Sequence, residues 1–356
     1  MSLPEAQLEH RSSVPEEVQT DTSFSYTHPS VRSAEIVRVT RGEIATLQDA
    51  VAVEEPLEIQ LAYGAADDRK LKSISITMRT PGNDEELAAG FLMTEGVVRD
   101  VTHIASIGAP TAVNTPLRNG AESRRISLPT GLRSQVIRVE LSPEVDVSMS
   151  TLERNFYTTS SCGVCGKASL LALRTLCPLP QHDNFTIHSD LLSSLPQQLQ
   201  ASQAVFKKTG GLHAASLFTA EGQLHSVRED VGRHNAVDKL LGEAFLQDIV
   251  PLRDYLLLLS GRASFELLQK AVMGGIPMVA AIGAPSSLAI EVAREFSITL
   301  VGFLRPDSFN IYSAPKRVLE TNGTPFRCQE VCDETANQRK LASAPRDALG
   351  GKATSA

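Results

Sequence analysis

Two cysteines three positions apart are the residues of this chain best suited to covalent chemistry. Cys162 and Cys165 lie in the segment SSCGVCGK, directly before ASLLALRTL, whose apolar residues recur at helical spacing. The pair is therefore predicted at or just before a helix N-terminus, where free amide N–H groups and the helix dipole stabilise a thiolate. Redox exchange, half of a zinc site and carriage of sulfur as a persulfide all fit this pattern, and two unreactive structural cysteines are the simpler alternative.

The other three cysteines give weaker evidence for a reactive or metal-binding site. A four-cysteine zinc site would need Cys328 and Cys332, which are spaced CxxxC in a polar C-terminal stretch. Cys177 lies between a leucine and a proline and is predicted to be a packed thiol. Five cysteines in a chain of 356 residues do not indicate a disulfide framework.

Two further segments concentrate polar side chains. His213 follows a Gly-Gly turn in FKKTGGLHAA and is interpreted either as an acid, base or phosphate donor or as a satisfied core histidine. In REDVGRHNAVDK, Asp230, His234 and Asp238 are predicted to share one helical face. That face is interpreted as a ligand or interface contact, with a solvated helix face as the alternative.

Small residues and arginines follow three predicted strands, over residues 255–259, 277–282 and 298–304. In an open parallel sheet, ligands bind in the crevice beyond the carboxyl ends of the strands. Arg262 and Arg305 lie at two of these ends, and helix N-termini are expected to point into the same space. The pattern favours an anion of nucleotide type, and ordinary turns without a ligand are the alternative.

The elements around these residues divide the chain. Alternating β-branched runs up to about residue 147 predict an antiparallel sheet, interrupted by one helix over 84–95 that Asp84 would cap. From about residue 156, alternating strands and helices predict a parallel α/β sheet. We expect a disordered arm over 1–32, a smaller β-rich α+β domain over 33–150, an α/β domain over 151–322 and a flexible tail over 323–356.

The composition of the chain argues against several classes of protein. The hydrophobic fraction of 42% excludes a disordered chain, and the net charge of −7 argues against a nucleic-acid binder. No run of apolar residues approaches the length of a membrane span, and the N-terminus lacks the pattern of a signal peptide. A cytoplasmic protein without nucleic-acid or membrane partners is expected.

Several segments together carry a family resemblance over about residues 36–317. They closely resemble the formate dehydrogenase accessory sulfurtransferase family, FdhD. The segments are DEELAAGFLMTEGVV, SSCGVCGK, FKKTGGLHAASLF, VREDVGRHNAVDKLLG, LLLLSGRAS, GIPMVAAIGAPSSLAIEVA and ITLVGFLRPDSFNIY.

The resemblance implies a cytosolic sulfur carrier. Such proteins take sulfane sulfur from a cysteine desulfurase as a persulfide. They pass it to the molybdenum cofactor, in its bis(guanine dinucleotide) form, before that cofactor enters the catalytic subunit of formate dehydrogenase. The persulfide cysteine maps onto Cys162 and its partner onto Cys165, whose role as protector, resolver or relay stays open.

The cofactor-binding stretch of the family maps approximately onto residues 303–308. With the strand-end residue Arg262 and with His213, the expected cofactor-binding set is Phe303, Leu304, Arg305, Pro306, Asp307, Ser308, Arg262 and His213. The implied fold is a cytidine-deaminase-like three-layer α/β/α domain with an added smaller domain. A homodimer is implied, and no permanently bound metal is expected.

The sequence also bears on two other functions, a zinc deaminase and a non-catalytic chaperone. A zinc deaminase needs His-x-Glu followed by Pro-Cys-x-x-Cys. Here His213 lacks the glutamate, and the cysteine pair precedes the histidine and follows Ser161. A non-catalytic chaperone that binds the cofactor would make the cysteines incidental, and replacing Cys162 by Ala separates that function from sulfur transfer.

Overall fold

The computed structural model describes residues 29–110, 135–145, 147, 173–174, 177 and 184–326. Cys162, Cys165, Cys328 and Cys332 lie outside these ranges, as does the boundary predicted near residue 150. The first strand takes in Val31 and Arg32, at the end of the segment that was predicted to be an arm.

The N-terminal half contains a hairpin and a four-stranded sheet. The hairpin pairs β1 (Val31–Thr40) with β2 (Glu43–Ala52). The sheet has the order β4-β3-β6-β5, with β3 (Glu55–Tyr63), β4 (Lys70–Arg79), β5 (Ile104–Gly108) and β6 (Val136–Leu141). The predicted antiparallel arrangement is wrong for the central pair, because β3 and β6 run parallel. These two strands are distant in sequence and need no hairpin, so nothing local imposes an antiparallel pairing.

Helix α1 (Asp84–Thr94) is confirmed, but Asp84 does not cap it. Asn83 is the N-cap residue and adopts the left-handed conformation, with φ 58° and no capping bond from its side chain. The Asp84 carboxylate instead accepts two hydrogen bonds from the buried Arg79 guanidinium, at 2.8 and 2.9 Å. A buried cation requires a paired anion, and that demand outweighs the capping preference of Asp84.

The C-terminal half follows with β7 (Ile187–His188), α2 (Ser189–Ser202), α3 (Phe206–Thr209), β8 (His213–Phe218), β9 (Leu224–Asp230), α4 (Arg233–Leu246), β10 (Leu256–Leu259), α5 (Phe265–Met273), β11 (Met278–Ala281), α6 (Ser287–Glu295), β12 (Thr299–Gly302), β13 (Asn310–Ser313) and β14 (Val318–Leu319). Six of these strands form one sheet in the order β13-β12-β11-β10-β8-β9. Strands β10, β11 and β12 run parallel, as predicted. The outer strands β8 and β13 pair antiparallel to this central group, so the sheet is mixed.

Both faces of the six-stranded sheet are covered by helices. Alternate residues of a strand point to opposite faces. Leu257 and Leu259 accordingly share a core with residues of α4, α5 and α6, whereas Leu256 and Leu258 share another with α2. The mixed α/β fold with helices on both sides of the sheet confirms the three-layer α/β/α expectation.

Helices α1 and α4 join the two halves through a glycine crossing. A Cβ atom added at Gly90 of α1 would overlap the carbonyl of Asp238, and one added at Gly242 of α4 would overlap the carbonyl of Glu86. Only glycine allows the two backbones to approach so closely. One hydrophobic core therefore runs from Leu57 of the four-stranded sheet to α4 and the six-stranded sheet. Among the described residues, no helix has both the length and the apolar character needed to cross a bilayer.

Candidate functional site

The topology of the six-stranded sheet gathers several loop segments at one edge. The carboxyl ends of β10, β11 and β12 lie there because these strands are parallel. Strand β8 runs antiparallel to β10, with Ala215 opposite Leu259, so β8 begins at the same edge, at His213. The loop between β12 and β13, residues 303–309, turns at that edge as well. The predicted crevice thus forms from segments that are up to about 100 positions apart in sequence.

A cleft of about 710 Å³ occupies this edge. One wall comes from α2 and α3 and the other from the strand ends. The principal lining residues are Gln197, Gln200, Gln203 and Phe206 on the first wall, and His213, Ser260, Ile282, Leu304, Arg305 and Pro306 on the second. Four members of the predicted cofactor-binding set therefore face one cavity. Arg262, Phe303, Asp307 and Ser308 are not among its lining residues, and the Phe303 side chain is 44% exposed.

Arg305 is partly used to hold the edge of the cleft together. Its Nη1 donates to the carbonyl oxygens of Ile282, at 2.7 Å, and Leu304, at 2.8 Å. Its backbone N–H donates to the Ser308 carbonyl at 2.8 Å. The other guanidinium nitrogens have no partner in the described part of the chain, so Arg305 can present them to an anion while Nη1 anchors the loop.

His213 lies in cationic surroundings. Burial lowers the pKa of His213 below its usual value, and Arg233, His234 and Arg262 lower it further, while Asp230 acts in the opposite direction. The imidazole is therefore neutral at pH 7, and the arginines Arg233 and Arg262 beside it favour an anion. Arg262 and Arg233 act on this space although they do not line the cleft itself.

The loops after β10 and β11 approach each other closely through their backbones, at Gly261 and Gly283. A Cβ atom at Gly261 would lie 3.3 Å from Nδ1 of His213, and one at Gly283 would lie 2.8 Å from the Gly261 carbonyl oxygen. The Gly283 N–H donates to that same oxygen at 2.8 Å. Beyond these loops the chain enters α5 and α6, the latter capped by Ser286, which accepts a hydrogen bond from the Ala289 N–H. Helix N-termini at this edge add to the preference for anions.

The polar segment around α4 has a different role from the one predicted. Asp230 ends β9 and so does not share a helical face with His234 and Asp238. It is fully buried and lies 2.7 Å from the Lys239 ammonium, while Asp238 lies 2.8 Å from Lys270. Neither aspartate contacts a ligand space or solvent, so both alternatives considered for the segment are wrong for these two residues.

His234 remains half exposed at the start of α4. Its Nε2 lies 3.8 Å from Oε2 of Glu266 at the start of α5. The neighbouring His234 ring is the largest cause that lowers the pKa of Glu266 to about 2. The pair links the first turns of two helices that both begin at the cleft edge.

Cys177 has the properties of a packed thiol. It is half-buried, and its Sγ lies 3.6 Å from the Val272 carbonyl oxygen. Burial raises the pKa of Cys177, which is the reverse of what a nucleophilic thiolate requires. Within the described ranges, no three His, Cys, Asp or Glu side chains converge as a metal site.

The comparisons with known proteins identify the family. The model of the FdhD/NarQ family matches residues 52–319. The chain belongs to the FdhD/NarQ family. It is 49% identical over 288 residues to a protein named sulfur carrier protein FdhD from Streptomyces coelicolor, covering 80% of this chain and 94% of that one. A protein of the same name from Sulfurisphaera tokodaii is 39% identical, with 81% of this chain and 99% of that one covered.

A solved structure shares the fold of this FdhD/NarQ chain. It is assigned to a formate dehydrogenase accessory protein from Desulfotalea psychrophila and superposes with a TM-score of 0.59 at 24% identity. The alignment covers 82% of this chain and all of that one. The FdhD/NarQ match itself spans Cys162, Cys165 and every cleft residue named above.

Proposed function

We propose that the chain is a sulfurtransferase that carries sulfane sulfur as a persulfide on Cys162. It takes this sulfur from a cysteine desulfurase and delivers it to the molybdenum cofactor, in its bis(guanine dinucleotide) form, before insertion into formate dehydrogenase. The observation that carries the proposal is the 49% identity to a protein named sulfur carrier, within a family match that includes both cysteines. The cationic cleft supports the proposal as well, because it suits the phosphate groups of the cofactor.

The loading step is a thiol exchange. The Cys162 thiolate attacks the terminal sulfur of the desulfurase persulfide, and the S–S bond of that persulfide breaks. The desulfurase leaves as a thiolate, and Cys162 gains one sulfur atom. Release of this sulfur as sulfide needs two electrons, and attack by the Cys165 thiol on the Cys162 sulfur, closing a disulfide, would supply them. In this proposal Cys165 is the resolving thiol, and a thiol reductant must reduce the Cys162–Cys165 disulfide before the next cycle.

The cofactor enters this proposal as a substrate. Its guanine dinucleotide ends carry pyrophosphates, and Arg305 and His213 line a cleft with Arg262 and Arg233 nearby. The cleft volume of about 710 Å³ falls in the usual range of small-molecule sites, roughly 300–1,000 Å³. Phosphate groups at this edge would face local positive charge in a protein whose net charge is negative.

The proposal includes the setting in which the transfer occurs. The partners are a cysteine desulfurase, the catalytic subunit of formate dehydrogenase and a second copy of this chain in a cytoplasmic homodimer. Light scattering after size-exclusion chromatography tests the dimer, and a monomer at micromolar concentration would remove it from the proposal.

Complementation tests the function itself. In a host that lacks its own family member, the wild-type chain should restore formate dehydrogenase activity, and Cys162→Ala should not. Cys177→Ala serves as the matched control, because its thiol is packed against Val272, and it should complement normally. Full complementation by Cys162→Ala would favour the non-catalytic chaperone instead.

A further inference from the structure

Gln203 is a largely buried residue whose side-chain carboxamide faces the cleft. The residue is 5% exposed and lines the cleft. Both backbone groups are used: its N–H donates to the Leu199 carbonyl at 3.2 Å, and its carbonyl accepts from the Lys207 N–H at 3.1 Å. The side-chain carboxamide has no hydrogen-bond partner among the described residues. Neither polar atom of the carboxamide is enclosed by protein, so this group opens onto the cleft with its hydrogen-bonding capacity free for a ligand.

Gln203 is held at the cleft by the two helices that it connects. It is the C-cap residue of α2, whose residues Leu192, Leu195 and Leu199 are buried against the six-stranded sheet. After it the chain turns at once into α3, whose Phe206 also lines the cleft. The backbone on both sides is therefore fixed, and the carboxamide is held at the wall of the cleft.

The two walls of the cleft differ in chemistry. The strand-end wall carries Arg305 and His213 in cationic surroundings, which suits phosphate. The opposite wall is uncharged and carries Gln203 with Phe206. A carboxamide both donates and accepts hydrogen bonds, as does the edge of a nucleobase. A ligand that satisfies both walls has phosphates joined to a planar nitrogen heterocycle.

We propose that Gln203 is a specificity-determining residue that hydrogen-bonds the guanine base of the bound nucleotide. This inference rests on the proposed function, since it assumes that a guanine nucleotide half of the cofactor occupies the cleft. Gln203 then reads the base while Arg305 and His213 hold the phosphates. A polar group that gains its partner only when a base is bound discriminates against ligands without a base, such as pyrophosphate.

The test compares ligands with and without a base. Isothermal titration of the full chain with GDP, ADP and inorganic pyrophosphate should show GDP binding tighter than both others. Gln203→Met preserves the length of the side chain and removes its hydrogen bonds. It should weaken GDP binding about tenfold or more and leave the affinity for pyrophosphate unchanged. Gln223→Met is the matched control, because Gln223 is exposed and does not line the cleft, and it should behave as wild type.

The outcomes separate this inference from the proposed function. If the wild type binds neither GDP nor pyrophosphate, the cofactor cleft and this inference fail together. If GDP binds but Gln203→Met binds it equally well, or if the wild type binds GDP no better than pyrophosphate, only the role of Gln203 is overturned.

A variant that fails to fold is recognised by its loss of pyrophosphate binding. Gln203→Glu, which keeps the shape and loses the donor, then takes its place. It should change the ratio of GDP to ADP affinity, and an unchanged ratio would contradict the inference.

Discussion

His213 illustrates how a single side chain depends on several elements. The groups that act on it come from β9 (Asp230), from the start of α4 (Arg233 and His234) and from the loop after β10 (Arg262). The neutral imidazole is favoured because burial, Arg233, His234 and Arg262 all lower the pKa of His213. An anion bound in the cleft would oppose that effect and favour the protonated ring.

This coupling predicts a pH-dependent affinity for anions. Binding of sulfate, which does not itself titrate in this range, should take up protons at His213 and strengthen as the pH falls from 8 towards 5.5. In His213→Asn the pH dependence should be flatter, with weaker sulfate binding at the acid end. The measurement is a titration with sulfate at several pH values. An identical pH profile in wild type and variant would contradict a role of His213 at the anion site.

The buried ion pair of Lys239 and Asp230 is expected to contribute strongly to the stability of the fold. The ammonium lies 2.7 Å from the carboxylate and also donates to the Thr80 carbonyl at 2.8 Å. Lys239→Ala leaves a buried carboxylate without its cation, and we expect the free energy of unfolding to fall by about 3–5 kcal/mol. Chemical denaturation measures this loss.

A surface lysine provides the control for that measurement. Lys208→Ala removes an exposed ammonium and should change stability by less than about 0.5 kcal/mol. A loss in Lys239→Ala as small as that of the control would show that the pair contributes little.

At the scale of elements, the crossing of α1 and α4 leaves no room for an added Cβ atom at Gly90 or Gly242. A methyl group at Gly90 would overlap backbone rather than a movable side chain, so the helices must separate to admit it. Gly90→Ala is expected to lower the free energy of unfolding by at least about 1–3 kcal/mol, as overpacking does. Gly108→Ala should be nearly neutral, because its added Cβ would meet only the end of the Glu85 side chain at 3.9 Å. Equal stability of the two variants would contradict the close crossing.

The sequence predicts correctly those strands and helices whose buried positions follow from the local spacing of apolar residues. The leucines of β10 and the amphipathic repeat of α6 needed no knowledge of the rest of the chain. The errors arose where a distant partner decided the outcome. The parallel pairing of β3 with β6 and the use of Asp84 by Arg79 depend on tertiary contacts that no window of residues contains.

At the scale of the whole molecule, the cleft also combines residues that the sequence predicts with residues that only tertiary packing brings to it. The strand-end arginines and small residues were predictable, because parallel strands always end at one edge. Gln203 was not, because a glutamine at the end of an amphipathic helix has the same sequence pattern whether it faces solvent or a cavity. Only the packing of α2 and α3 over the strand ends turns it into a buried wall residue. The cysteine pair was found from its motif, and its assignment as a persulfide site remains a proposal.

The central claim concerns where the molecule holds its sulfur, and mass spectrometry tests it most directly. The full chain is incubated with a cysteine desulfurase and cysteine, and is then digested and analysed without reductant. The account predicts one added sulfur atom on the peptide that contains Cys162, absent in Cys162→Ala. The Cys177 peptide should stay unmodified, because burial raises the pKa of that thiol. Added sulfur on Cys177 alone, or on no cysteine of the chain, would contradict the account.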